Sequence, residues 1–183
     1  KPAGLSANEY MNTVTSFSAS LISSLNGDTE AAARAANQAI VDMSDNANKM
    51  GTDMSLIQSA YQGFAKQNYT MLDNLKLGYG GTKTEMERLL KDAEKISGVK
   101  YDISNLNDVY SAIHVIQTEM GITGTTAAEA EKTISGSANA MKSAFENLLT
   151  GFGNADADMQ VLVKNLADSL NTVIKNITPV LNN

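Results

Sequence analysis

The chain has 183 residues, enough for one domain with a sizeable core or two small ones, and its 43% apolar share is that of a globular protein. Fourteen Lys and Arg against 20 Asp and Glu leave a formal charge of −6, which argues against direct nucleic-acid binding, because that needs clustered cations. The lack of cysteine excludes disulfides, thiolate metal sites and a cysteine nucleophile, and no apolar run approaches the ~20 residues of a membrane helix.

Taken in order, Ser6-Ala7-Asn8-Glu9 fits a capping box that opens a first helix. Its stripe is Tyr10, Val14, Phe17, Leu21 and Leu25, and Asn26-Gly27 ends it. Asp28 caps an Ala-rich helix to Met50, with a seam of small residues (Ala32, Ala36, Ala39, Met43, Ala47), and Gly51 stops it. Thr52 opens a third pattern through Ile57, Tyr61, Phe64, Met71 and Leu75, with a break expected between Lys66 and Thr70. The Gly78–Gly81 turn follows. Thr82 and Glu85 form a second capping box, leading into Met86, Leu89, Leu90, Ala93 and Ile96.

Val99, Tyr101 and Ile103 alternate with polar residues and predict an extended linker that docks its apolar side. Ser104 is the expected cap of a helix carrying Leu106, Val109, Ile113, Ile116 and Met120. Thr126 and Glu129 form a third box, before a helix that runs through Phe145 and Leu148 to Gly151. The last helix starts near Asp156 and carries Met159, Val163, Leu166, Leu170, Val173 and Ile177, a seam of helix-packing or partner residues, with Pro179 expected to close it. Burial inside a bundle is the ordinary role of such a seam, and an intermolecular coil is the other.

The sum is an all-α protein, a compact bundle of about seven amphipathic helices joined by short Gly-containing turns, with one short extended segment near 99–103. Residues 1–183 read as a single helical domain cut from a longer chain, with a subdivision into 1–77 and 82–183 available at the glycine turn.

Reactive constellations are scarce. His114, the single histidine, lacks the companions a zinc site needs, so a structural or solvent-facing role is expected for it. Asn154-x-Asp156-x-Asp158 begins like a calcium loop, but Met159 stands where that loop needs Gly and Asn165 where it needs Glu. The order Gly81-Thr82-Lys83 breaks the phosphate-loop pattern. The nine Met residues, Met43, Met50, Met54 and Met71 among them, could form an adaptable partner surface, but at helical spacing core filling is the expected role. No catalytic residue, metal ligand or cofactor is expected. A lysozyme-like pair of carboxylates is the one enzymatic arrangement left formally open.

Several runs nevertheless carry a resemblance. They are Gly4-Leu5-Ser6-Ala7-Asn8-Glu9-Tyr10-Met11, Asp45 through Met54, and Lys66 through Lys83 around Tyr79. Ala112-Ile113-His114-Val115-Ile116-Gln117, Gly121 through Thr126 and Asn147-Leu148-Leu149-Thr150-Gly151 belong with them. In this order, over nearly the whole chain, they resemble tail tape measure proteins of long-tailed bacteriophages and prophages of Gram-positive bacteria. That resemblance implies a non-enzymatic virion component, an internal segment of a long helical protein whose length sets the length of the tail. It implies residence in the tail lumen, and in the host cytoplasm during assembly. Implied partners are tail tube, tail chaperone and tail-tip proteins, with self-association in the lumen, no membrane insertion by this segment, and departure from the tail during DNA ejection. A peptidoglycan-hydrolysing module carried within such a protein is the alternative.

A lumen only a few helices wide, at ~10 Å each, fits a compact bundle poorly. Either the segment sits in a wider place near the tail tip or it opens inside the tail. For the second case the glycine breaks, Gly78, Gly80 and Gly81 above all, are expected to act as hinges between a folded and an extended form. Hydrogen exchange that proved identical in free protein and intact tails would remove that idea.

Overall fold

The computed structural model describes residues 7–132, 134–153 and 158–181, and these residues are all-α. Eight helices follow one another: α1 (Ala7–Ser24), α2 (Thr29–Met50), α3 (Met54–Phe64), α4 (Lys83–Ser97), α5 (Leu106–Glu119), α6 (Thr125–Lys132), α7 (Ile134–Phe152) and α8 (Met159–Leu181). A 3₁₀ turn at Leu72–Leu75 lies between α3 and α4. By their contacts the residues divide into two units, Thr13–Thr125 and, separately, Lys1–Asn12 with Thr126–Asn183. The Gly78–Gly81 turn lies inside the first of these.

The Thr13–Thr125 unit is built on α2, whose middle is buried on nearly every side: Ala39, Ile40 and the run Asp42–Asn46 are all inaccessible. Its small alanines let α3 and α5 approach closely, and α5 also packs on α4. Phe17 and Leu21 of α1, Ile57, Tyr61 and Phe64 of α3, Leu72 and Leu75 of the 3₁₀ turn, and Met86 and Leu89 of α4 complete the core with Val109 and Ile113 of α5. An aromatic cluster sits at its centre. Phe17 meets the Tyr110 ring edge-on at 5.6 Å, and Tyr61 lies 4.9 Å from Tyr110 and 5.8 Å from Phe64.

Capping sets most boundaries. Asp28 accepts the Ala31 N–H, and Gly51 closes α2 in the left-handed region at φ 66°. The third helix starts one residue later than expected, because Asp53 rather than Thr52 accepts the Ser55 N–H. The anticipated break appears between Ala65 and Met71, with Asn68 donating its N–H back to the Gly63 carbonyl. Asn105, not Ser104, caps α5, since Asp102 already binds both the N–H and hydroxyl of Ser104. Among the described residues no strand forms; the Tyr69 hydroxyl holds the extended piece by donating to the Ile103 carbonyl at 3.0 Å.

Asn105 does two jobs. Its Oδ1 accepts the Asp108 N–H and its Nδ2 donates to the Ser24 carbonyl at the end of α1. Asn105→Ala is expected to cost about 1–2 kcal/mol in urea unfolding, with the m-value unchanged.

In the other unit α7 and α8 pack against each other. α6 begins at Thr125, so Thr126 lies within it rather than capping it; the side chain of Glu129, like the Ser6–Glu9 box, lies outside the described residues. α8 begins after Asp158, whose Oδ1 accepts the Gln160 and Val161 N–H groups. Pro179 does not end α8, which continues to Leu181. A proline so near a helix end removes one hydrogen bond but leaves only about half a turn beyond it to be disturbed.

Candidate functional site

The sequence singles out the glycine turn, the α8 seam and His114. The structure gives each a definite setting and adds a cluster that sequence spacing did not show.

The turn before α4 is clasped. Thr82 accepts the Glu85 N–H, as expected of a capping box, but the Glu85 carboxylate reaches Gly80 N–H instead of completing the box. Arg88 donates to both Glu85 oxygens and to the Gly78 carbonyl, and its guanidinium lies 4.3 Å above the Tyr79 ring. The Tyr79 hydroxyl donates to Asp92 at 3.1 Å. The Arg88 hydrogen bonds, followed by that from Gly80, hold the Glu85 carboxyl down at about 2, whereas burial and the Asp92 contact push the Tyr79 hydroxyl up to about 12. Gly78 has φ +84°, and Gly81 lies directly against the Thr70 backbone. Any hinge motion here must first open this set of contacts.

The α8 seam is only partly covered. Val163 is 53% and Leu170 48% exposed, while Met159, Leu166, Val173 and Ile177 are half-buried. The α8 residues lining the roughly 200 Å³ pocket shared with α7 include Leu162, Asn165 and Ser169, a more polar row. On α7, Phe145, Leu149 and Phe152 are also exposed, Phe152 at 72%. This hairpin therefore shows an apolar surface unusual for a bundle helix pair.

His114 is not solitary. Its Nδ1 lies 2.8 Å from the Oδ1 of Asp42, whose residue is 1% exposed, and Gln38 donates to the same oxygen at 3.1 Å. One turn along α2, Asp45 accepts the Gly124 N–H at 2.7 Å, and its carbonyl accepts the Thr125 hydroxyl. A pocket of about 180 Å³ beside the pair is lined by Gln38, Tyr101, Ser111 and His114 among others. Deeper in, the buried Tyr61 hydroxyl and the buried Gln117 side chain lie within hydrogen-bonding reach of each other. Burial pushes the Tyr61 and Tyr110 hydroxyls well above the usual phenol range.

Asp42 and Asp45 are engaged with α5 and the turn after it, and among the described residues no three metal-ligating side chains converge. Nor is any described helix long and apolar enough to cross a membrane. Asn154 and Asp156 of the calcium-like motif lie outside the described residues, and Asp158 serves as the α8 cap. Asp42 and His114 are 72 residues apart, so no spacing rule could pair them; four polar residues within five positions of an Ala-rich seam (Asp42, Ser44, Asp45, Asn46) were the available signal. Comparison with protein-family models, characterised proteins and solved structures finds no match for this chain.

Proposed function

We propose that this chain is an internal structural segment of a phage tail tape measure protein, with no enzymatic step of its own. The observation that carries this reading is the ordered series of runs from Gly4 to Gly151, above all Lys66 through Lys83. The all-helical fold of the described residues is compatible with such a role. In this reading the segment works in the tail lumen, and in the host cytoplasm during assembly, against tail tube, chaperone and tip proteins.

Self-association through α8 belongs to the same proposal. A seam at 4-3-4-3-4 spacing asks for a helix of the same period. The flanking positions, Gln160, Leu162, Ala167, Ser169, Ile174 and Asn176, carry no charge, so nothing repels a second copy. The three charges of α8, Lys164, Asp168 and Lys175, all lie off the seam.

Tail length is the decisive measurement. A helix rises ~1.5 Å per residue, so deleting these 183 residues in frame from the parent gene should shorten tails by about 270 Å in electron micrographs. A much smaller shortening would mean that the segment stays folded in the tail, and unchanged length would sink the proposal. Purified chain releasing soluble fragments from peptidoglycan would instead favour the hydrolase reading.

A further inference from the structure

We propose that α2 and α5 form a proton-held joint, in which protonated His114 pins α5 to the buried Asp42 carboxylate and deprotonation loosens the two helices. This inference concerns the Thr13–Thr125 unit alone and does not depend on the tape measure reading.

The geometry carries it. A helix pair meeting through alanines and isoleucines would need no buried acid, yet α2 turns Asp42 and Asp45 inward, each 1% exposed. The Asp42 Oδ1 takes the His114 Nδ1–H at 2.8 Å and the Gln38 amide at 3.1 Å. Because Nδ1 faces a carboxylate, that nitrogen carries the proton in either charge state. His114 is 34% exposed, so its charge can change by exchange with solvent without unfolding.

The groups facing the pair come from every element around it. They are Asp42, Asp45 and Gln38 of α2, Tyr61 of α3, Tyr110 and Gln117 of α5, and Tyr101 of the segment before α5. Of the groups acting on the Asp42 carboxyl, His114 is the one that can carry positive charge. The interface is also polar in its depth, since the buried Tyr61 hydroxyl and the buried Gln117 side chain lie within hydrogen-bonding reach of each other. Such an interface depends more than an apolar one on the single charge-assisted bond that it does make.

Both partners push stability the same way with pH. The Asp42 hydrogen bond holds the His114 pKa above its ordinary 6.5. Its contribution is therefore complete below 6.5 and is lost as pH rises through the raised value. Burial lifts the Asp42 pKa above the ordinary 3.8, against the opposing pull of His114 and Gln38. Ionising Asp42 is thus harder in the fold than in the unfolded chain, and this too removes stability as pH rises. The joint is tight in mild acid and loose above neutrality, the reverse of the usual acid lability.

The test uses the whole chain. His114 is the only histidine, so its imidazole resonances report one residue and should titrate above 6.5. Amide exchange, corrected for intrinsic rates, should show α2 and α5 protection about three- to tenfold greater near pH ~5.5 than near pH ~8.5, the scale of one partly exposed charge-assisted bond. His114→Gln keeps a donor but cannot titrate in this range, and should flatten the difference. An imidazole titrating at or below 6.5, or a pH difference that survives in His114→Gln, overturns the proposal. Should that variant fail to fold, the wild-type titration decides alone.

Discussion

Gly81→Ala should be the most damaging single methyl group that can be added to this protein. A Cβ there would fall well inside contact distance of the Thr70 carbonyl oxygen and 2.9 Å from its carbon, and both are backbone atoms that cannot swing away. The expected loss is about 3 kcal/mol or more, the upper end of overpacking costs, because the whole strap from Thr70 to Thr82 must shift. The neighbouring glycines give the internal control. Gly78 has open space around the added carbon but sits at φ +84°, so Gly78→Ala should cost only the left-handed penalty, about 1–2 kcal/mol. Gly80 has no such backbone requirement, and its added carbon would meet only the Glu85 Cγ, at 3.6 Å. Gly80→Ala should be close to neutral, within about 1 kcal/mol, the methyl stiffening the unfolded chain. Urea unfolding of the three variants would check the order 81, 78, 80. Equal costs would mean that the turn is loose, as a free hinge would be, and that the clasp by Arg88 and Glu85 does little.

That result bears on how much the residues announced in advance. The helices were legible because their signals are local: Asp28 with Gly51 bounds α2, and Thr82 bounds α4, by chemistry acting within four residues. Where two capping residues stand side by side, the local rule is ambiguous. At 104–105 a neighbouring carboxylate decides, Asp102 binding Ser104 and leaving Asn105 as the cap. At 52–53 the Asp53 carboxylate itself takes both the N–H and the hydroxyl of Ser55. The glycines were recognisable as a turn, yet the approach of Gly81 to Thr70 is a tertiary contact that composition does not encode. The same holds for His114. Its lack of histidine or cysteine companions argued against a zinc site, but its partner lies on another helix, and only the fold brings Asp42 within 2.8 Å. The α8 seam was readable as apolar and periodic, whereas its exposure depends on which row α8 turns towards α7.

Phe64→Ala and Phe152→Ala should separate folding from association. Phe64 is 2% exposed, packs on Tyr61, and stacks on Tyr69 with ring centroids 6.1 Å apart. Removing its ring empties the centre of the Thr13–Thr125 unit, and the expected loss is about 3–5 kcal/mol. Domains of this size hold only about 5–15 kcal/mol in total, so the variant should be substantially unfolded at modest urea concentrations. Phe152 is the same residue type in the opposite situation, 72% exposed at the end of α7. Its truncation should change stability by no more than about 0.5 kcal/mol. If the α7–α8 surface exists to meet another copy, the effect should appear elsewhere. Sedimentation equilibrium of a Phe152→Ala, Leu170→Asn double variant should show weaker self-association with unfolding midpoints unchanged. Loss of stability on the scale of Phe64→Ala would show instead that these side chains are part of a folding core, and the α8 seam would lose its case as a partner surface.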